Sequence, residues 1–280
     1  MEVLDYLLRF IEEDAPFGDV TSAAVIPDIT CNAVIRAEQA GIIAGLKEVS
    51  ILFSHFGVSV KHLAKDGDVI CQNDTLLLLF GDAKKILLVE RTALNIIGRM
   101  SSIATQTRKM ADIVSSVNPH CRIAATRKTC PGFQIFDKKA VQIGGGDPHR
   151  MNLSDGILIK DNHLALVPIR SAIHAVKKVS AYKKIEVEVE TSDDALIAAT
   201  AGADIIMLDN MSPDQVSQTI ALLTREGLRD RILIELSGGI NESSLITCAA
   251  LDVDIISLGF LTHSISNFSV NLEIIPEINP

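Results

Sequence analysis

The chain has 280 residues, enough for one large α/β domain or two modest ones. Apolar residues make up 48% and charged residues 22%, a balance that excludes a disordered chain. The formal charge of −9 argues against a general nucleic-acid binder, which needs an extended basic surface. The five cysteines are scattered without a C-x-x-C pair, so neither a zinc site nor a disulfide framework is indicated.

The N-terminus lacks the basic region and cleavage site of a signal peptide, and no apolar run reaches the roughly 18 residues needed to cross a bilayer. A cytoplasmic protein without membrane contact is the expectation. Residues 3–11 have helical spacing, which Gly18, Asp19, Val20, Thr21 and Ser22 interrupt with turn chemistry. Strands are expected at 33–37, 41–44, 58–64 and 75–80, with a helix at 46–56. A long proline-free helix over 83–117 is expected to link two domains.

After Asn118 and Pro119, short apolar runs alternate with helical stretches. The candidate strands are 122–125, 157–159, 185–189, 205–208, 232–236 and 255–258. Such alternation implies a parallel sheet, open or closed into a barrel. Polar residues recur at or just beyond the strand ends: Arg127, Lys128, Lys160, Glu188, Glu190, Asp209, Ser237 and Gly259. In a βα barrel these positions converge on one mouth, where such folds place their chemistry. The apolar segment 268–275 is expected to return to the first domain.

The stretch 125–163 concentrates basic residues: Arg127, Lys128, Lys138, Lys139, Arg150 and Lys160 stand with His149 and His163 against Asp137, Asp147, Asp155 and Asp161. Within it, Gly144, Gly145 and Gly146 offer backbone N–H groups that an anion could approach. Arg127 and Arg150 suit planar carboxylates or phosphates. Glu188 and Asp209, at successive strand ends, could hold a divalent cation through hard oxygen ligands or pair with Lys128 and Lys160. Ser237, Gly238 and Gly239 form a strand-end loop of the type that binds phosphate, or only a turn. Neither a P-loop, nor a G-x-G-x-x-G run, nor a G-x-S-x-G elbow is present.

Several motifs together carry a family resemblance. They include Glu90-Arg91-Thr92-Ala93-Leu94-Asn95, Thr126-Arg127-Lys128-Thr129, Gly144-Gly145-Gly146 with His149-Arg150, and Leu158-Ile159-Lys160-Asp161-Asn162-His163. Glu186-Val187-Glu188, Met207-Leu208-Asp209-Asn210, Ser237-Gly238-Gly239-Ile240 and Leu261-Thr262-His263-Ser264 follow in order. Over nearly its whole length the sequence resembles quinolinate phosphoribosyltransferase, also called nicotinate-nucleotide pyrophosphorylase (carboxylating).

The resemblance implies a type II phosphoribosyltransferase with an N-terminal α/β sandwich (1–104 and 266–280) and an incomplete α/β barrel (105–265). It implies the joining of quinolinate to 5-phosphoribosyl 1-pyrophosphate, with Mg2+, to give nicotinate mononucleotide, pyrophosphate and CO2 in NAD biosynthesis. It also implies a homodimer with shared active sites, assembled in some members into hexamers.

Carried over by motif, Arg127, His149, Arg150 and Lys160 would grip quinolinate, with Arg91 supplied across the interface. Lys128, Glu188 and Asp209 would serve catalysis around the ribose, with Glu188 and Asp209 holding Mg2+. Those three, with Ser237, Gly238, Gly239, Gly259 and His263, would bind phosphoribosyl pyrophosphate. Gln134, Lys139 and Pro148 depart from the family pattern. Lys139 and Pro148 resemble a related group, the ModD-like proteins associated with molybdate transport. The alternative is therefore a paralogue acting on another ring acid, or a non-catalytic binding protein.

Overall fold

In a computed structural model, residues 2–275 are described; Met1 and residues 276–280 of the expected first domain lie outside them. The chain divides into two compact units. The first comprises Met1–Arg108, Cys130–Gly144 and Ser264–Pro280, and the second Lys109–Thr129 and Gly145–His263. The division between Arg108 and Lys109 falls inside the helix Ala83–Val117, which has the bounds the periodicity predicts.

The first unit is built on a four-stranded antiparallel sheet, in the order Val270–Ile275, Thr30–Ala37, Thr75–Asp82, Ser59–His62. The expected return of segment 268–275 is thus a strand paired with Thr30–Ala37. Helices Val3–Asp14 and Leu46–His55 bury Leu7, Leu52 and Phe53, while the sheet buries Val34, Ile35, Leu77 and Leu79. Where turn chemistry alone was expected, Val20–Val25 is a short helix. Its cause is local: the Asp19 carboxylate accepts from the N–H groups of Thr21 and Ser22, an N-cap.

The segment Cys130–Gly144 belongs to this unit, whereas the sequence reading assigns it to the barrel. The physical reason lies in its helix, Gln134–Ile143. Arg99 donates to both oxygens of fully buried Asp137, at 2.7 and 2.8 Å. Phe133 and Phe136 pack against Phe10, and Phe136 against Tyr6. Lys139 donates to Glu48, which is only 3% exposed, and stands 3.8 Å from Asp66. Gly144 closes the helix where an added Cβ would come within 2.5 Å of the Ala104 carbonyl. That glycine is required by packing rather than by an anion.

The second unit holds a six-stranded parallel sheet, ordered Arg122–Ala125, Ile255–Leu258, Leu233–Ser237, Ile205–Asp209, Ile185–Val189, Ile157–Ile159. Helices follow its strands, among them Ile169–Val176, Ser192–Ala201, Pro213–Arg225 and Glu242–Ala249. Outside the outermost strand, Asp147 bridges to Ala124 in parallel. This is the incomplete α/β barrel that the resemblance implies, and the unit as a whole has mixed α/β architecture. Strand alternation divides its residues. Val187, Val189, Ile206, Leu208, Ile234, Leu236, Ile256 and Leu258 enter the hydrophobic core shared with the helices. Glu186, Glu188, Met207, Asp209, Glu235, Ser237 and Ser257 therefore share the opposite face. Among the described residues no helix is long and apolar enough to cross a membrane.

Replacing Lys139 by Met leaves the buried Glu48 carboxylate without its cation and is expected to cost about 1–3 kcal/mol. Urea denaturation measures it, and Glu48→Leu added to Lys139→Met should recover most of the loss. An unchanged midpoint in the single variant would show that the pair does not matter to stability.

Candidate active site

Each strand of the parallel sheet delivers a side chain at its C-terminal end, and these ends surround a cavity of about 420 Å3. Strand Arg122–Ala125 leads to Arg127 and Lys128, strand Ile157–Ile159 to Lys160, and strand Ile185–Val189 carries Glu188. Asp209 and Ser237 end the next two strands, and their register pairs them side by side. His149 and Arg150, from the segment beyond Asp147, complete the polar wall, with Leu158, Met207 and Ser257 between them.

The cations are held in defined ways. Arg150 is 8% exposed, donates from Nη1 to the Gly156 carbonyl at 2.9 Å, and keeps a buried Nε without a hydrogen-bond partner. Burial, followed by repulsion from Arg127, lowers the Arg150 pKa, against the opposing pull of Glu186 and Asp155. Lys160 donates to Glu188, and its backbone N–H donates to Nδ1 of His163 at 2.9 Å. His149 meets Glu186 through Nε2 at 2.8 Å. Lys128 is fixed through its backbone: the Thr262 hydroxyl donates to the Lys128 carbonyl at 2.9 Å.

The acids are held as well. Asn210 donates to Asp209 at 2.7 Å from a backbone at φ 55, and Gly238 follows Ser237 at φ +92. A Cβ on Gly238 would lie 2.2 Å from the Asn210 side chain, so only glycine fits there. A Cβ on Gly259 would stand 3.1 Å from the His263 ring and 3.3 Å from Lys128, which draws those three residues together.

The cavity thus gathers Arg127, Lys128, His149, Arg150, Lys160, Glu188, Asp209 and Ser237. Gly238, Gly239, Gly259 and His263 are not among the residues lining it, although the first two continue directly from Ser237. Arg91 is exposed on the helix Ala83–Val117, within the first unit. Of the six basic residues in 125–163, Lys138 and Lys139 belong to the first unit, and Lys138 is fully buried there. Glu190 is exposed beyond its strand, unlike Glu188. Gln134, Lys139 and Pro148, the three departures from the family pattern, are all absent from the lining.

Three residues at this site went unread in the sequence as functional groups. Glu186 and Glu235 lie on the cavity side of their strands at 2% and 0% exposure, and Ser257 donates its hydroxyl to Glu235. The signal was present as polar residues at period two inside the otherwise apolar strands Ile185–Val189 and Leu233–Ser237.

Chemically, four cations and a histidine can receive a ligand with several negative charges, while two carboxylates on neighbouring strands face it. Two family descriptions match the chain: "Quinolinate phosphoribosyl transferase, N-terminal domain" at residues 19–101 and "Quinolinate phosphoribosyl transferase, C-terminal domain" at residues 103–273. The chain is 45% identical over 275 residues to a probable nicotinate-nucleotide pyrophosphorylase (carboxylating) of Methanothermobacter thermautotrophicus, covering 97% of this chain and 99% of that one. It is 31% identical to the nicotinate-nucleotide pyrophosphorylase (carboxylating) of Rattus norvegicus, over 96% and 89% of the two chains. Its fold is similar to the solved structure of the nicotinate-nucleotide pyrophosphorylase from Francisella tularensis, with a TM-score of 0.90, 32% identity, and coverage of 98% and 96%. With both domain descriptions matched in order and relatives aligned over nearly their full lengths, the chain belongs to the quinolinate phosphoribosyl transferase family.

Proposed function

We propose that the protein is a quinolinate phosphoribosyltransferase (decarboxylating), which joins quinolinate to 5-phosphoribosyl 1-pyrophosphate and releases nicotinate mononucleotide, pyrophosphate and CO2 in NAD biosynthesis. The observation that carries this reading is the single cavity in which Arg127, Lys128, Arg150 and Lys160 face Glu188 and Asp209. One substrate brings two ring carboxylates and the other a phosphate and a pyrophosphate, so a pocket dense in fixed cations suits both. The departures Gln134, Lys139 and Pro148 are absent from this lining, so the cavity itself gives no reason to prefer a ModD-like paralogue.

Arg127, His149, Arg150 and Lys160 grip the carboxylates of quinolinate, each charge-assisted contact contributing roughly 1.5–3 kcal/mol. Lys128 is placed against the phosphoribosyl moiety, with Ser237, Gly238, Gly239, Gly259 and His263 around its phosphates. Attack by the ring nitrogen on the anomeric carbon develops positive charge on the ribose, which Glu188 and Asp209 stabilise. Lys160, already bonded to Glu188, keeps that carboxylate oriented. The new positive ring nitrogen then stabilises electrostatically the electron pair left on the adjacent carbon as CO2 departs, and that carbon takes up a proton from water, so no protein nucleophile is needed.

Glu188 and Asp209 offer hard oxygen ligands from neighbouring strands, a set that fits Mg2+ bound chiefly through substrate phosphates. When bound, Mg2+ supplies neutralisation of the departing pyrophosphate. By the same resemblance the protein works as a homodimer in the cytoplasm, with Arg91 reaching the partner's site.

The test is formation of nicotinate mononucleotide by purified protein from quinolinate, phosphoribosyl pyrophosphate and Mg2+. Product from nicotinate but none from quinolinate would refute the assignment. Arg150→Ala is expected to raise KM for quinolinate by about tenfold to a hundredfold, as loss of one or two charge-assisted bonds implies. KM for phosphoribosyl pyrophosphate should change far less, and equal losses would remove Arg150 from the acid's grip. Mixing Arg91→Ala with Lys160→Ala subunits should restore part of the activity, because one site in each mixed dimer then has both residues. Absence of rescue in verified mixed dimers contradicts shared sites.

A further inference from the structure

Beneath the cation cluster lies a group of side chains that the transfer reaction leaves without a task. Glu235 is fully buried, its Oε1 accepts from the Ser257 hydroxyl, and its Oε2 has no hydrogen-bond partner. Glu186 is 2% exposed; one oxygen meets His149 and the other, Oε1, is likewise unpartnered. Ligand-type atoms of His149, Glu186 and Glu235 all lie within 4.8 Å of one another.

Two carboxylates so close and so dry cannot both carry full charge unless something positive stands between them. His149, where protonated, answers the charge of Glu186, to which it is bonded, so for Glu235 a metal ion and a proton are the two candidates. The His149–Glu186 separation of 2.8 Å is that of a direct hydrogen bond. Two ligands each about 2.0–2.2 Å from one tetrahedral zinc ion would stand roughly 3.4 Å apart. The geometry points to the proton.

We propose that Glu235 is a positioning residue: held as a neutral acid below the pocket floor, it donates to Glu186, keeps that carboxylate aimed at His149, and withholds a second negative charge from the place where the substrate acid binds. This rests on the proposed function through the placement of His149 against that acid.

The surroundings of Glu235 support a retained proton. Burial first, and Glu186 second, push Glu235 up to about 7, while Ser257 and His149 pull it down and Asp147 pushes it further up. Asp147 itself is paired with Arg122 at 3.3 Å, and Glu186 also feels Arg150. From the strand Ile205–Asp209 the register partner of Glu235 is uncharged Met207.

Above neutral pH, Glu235 gives up its proton and a new negative charge appears under an anion site. Affinity for the acid should fall there. The linkage with folding has the same origin. The folded-state value lies above the ordinary 4.5, so the stabilising contribution is present below that pH and is lost as pH rises to about 7.

The experiment compares wild type with Glu235→Gln, which keeps the shape and a donor but cannot ionise, across roughly pH 6 to 8.5. In wild type, KM for quinolinate should rise about tenfold on passing neutrality, the effect of one nearby charge coupled by about one pKa unit. KM for phosphoribosyl pyrophosphate should rise less, and in Glu235→Gln the KM for quinolinate should stay level. Thermal unfolding of both proteins should show the Gln variant gaining on wild type as pH rises from about 4.5 to 7. Ser257→Ala, which removes a donor to the ionised form, should move the wild-type rise in KM to higher pH.

Parallel pH profiles in wild type and Glu235→Gln would overturn the proposal. So would a tightly held metal ion found in the wild-type protein by elemental analysis and lost in Glu235→Gln. If wild type makes no product from quinolinate, the functional reading fails. The unfolding comparison then still decides whether Glu235 keeps its proton in the folded protein, and pH-independent differences there would refute it.

Discussion

The strand alternation of the parallel sheet is the constraint on which the site depends. Residues two apart point the same way, so hydrophobic Val187, Ile234 and Ile256 commit their strands to the helical layer, and every intervening residue is committed to the cavity side. That commitment places Glu186 and Glu188 one above the other, and Glu235 with Ser237 likewise. The upper positions reach the mouth and can meet a substrate. The lower positions are shut in, and their charge has to be settled inside the protein. A single structural period therefore produces both a reactive layer and a buried layer, with opposite electrostatic requirements.

The strand-end pattern made much of the upper layer legible in the sequence. Arg127, Lys128, Lys160, Glu188, Asp209 and Ser237 follow short apolar runs, and parallel strands bring such positions to one end whatever the helices between them do. Local basic density was a poorer guide. Lys138 and Lys139 stand amid the cationic stretch, yet helix Gln134–Ile143 turns them into the first unit, where Glu48 and Asp66 receive Lys139. Gly144 looked like an anion loop and is a packing contact with Ala104 and Thr107. In each case the deciding partner lies more than thirty residues away in the chain, beyond what local spacing reports.

The lower layer was missed for a different reason. Glu186 and Glu235 interrupt apolar strands, and a buried acid is interpretable only once its partners are known. Alone, the strand Leu233–Ser237 reads as a hydrophobic run with one charged residue. Together with His149 and Ser257 from distant segments it becomes a hydrogen-bonded floor. Lys139 illustrates the converse: a departure from the family pattern that suggested another function is accounted for by one ion pair with a buried glutamate.

Arg150 shows how the layers act on one another. Its guanidinium is buried, bonded by Nη1 to the Gly156 carbonyl, short of a partner at Nε, and repelled by Arg127. In a protein selected only for stability, such an arrangement would be unfavourable, since a buried guanidinium is opposed both by its own desolvation and by the like charge of exposed Arg127. Glu186 offsets part of this from below, but its carboxylate is already engaged by His149. A ligand with two negative charges removes the repulsion and supplies the missing acceptors at once. The excess positive charge of the upper layer is therefore best understood as half of a neutral complex, with quinolinate as the proposed other half. Affinity then comes from cations that the backbone and the buried carboxylates have already fixed in place, with little ordering left to occur on binding.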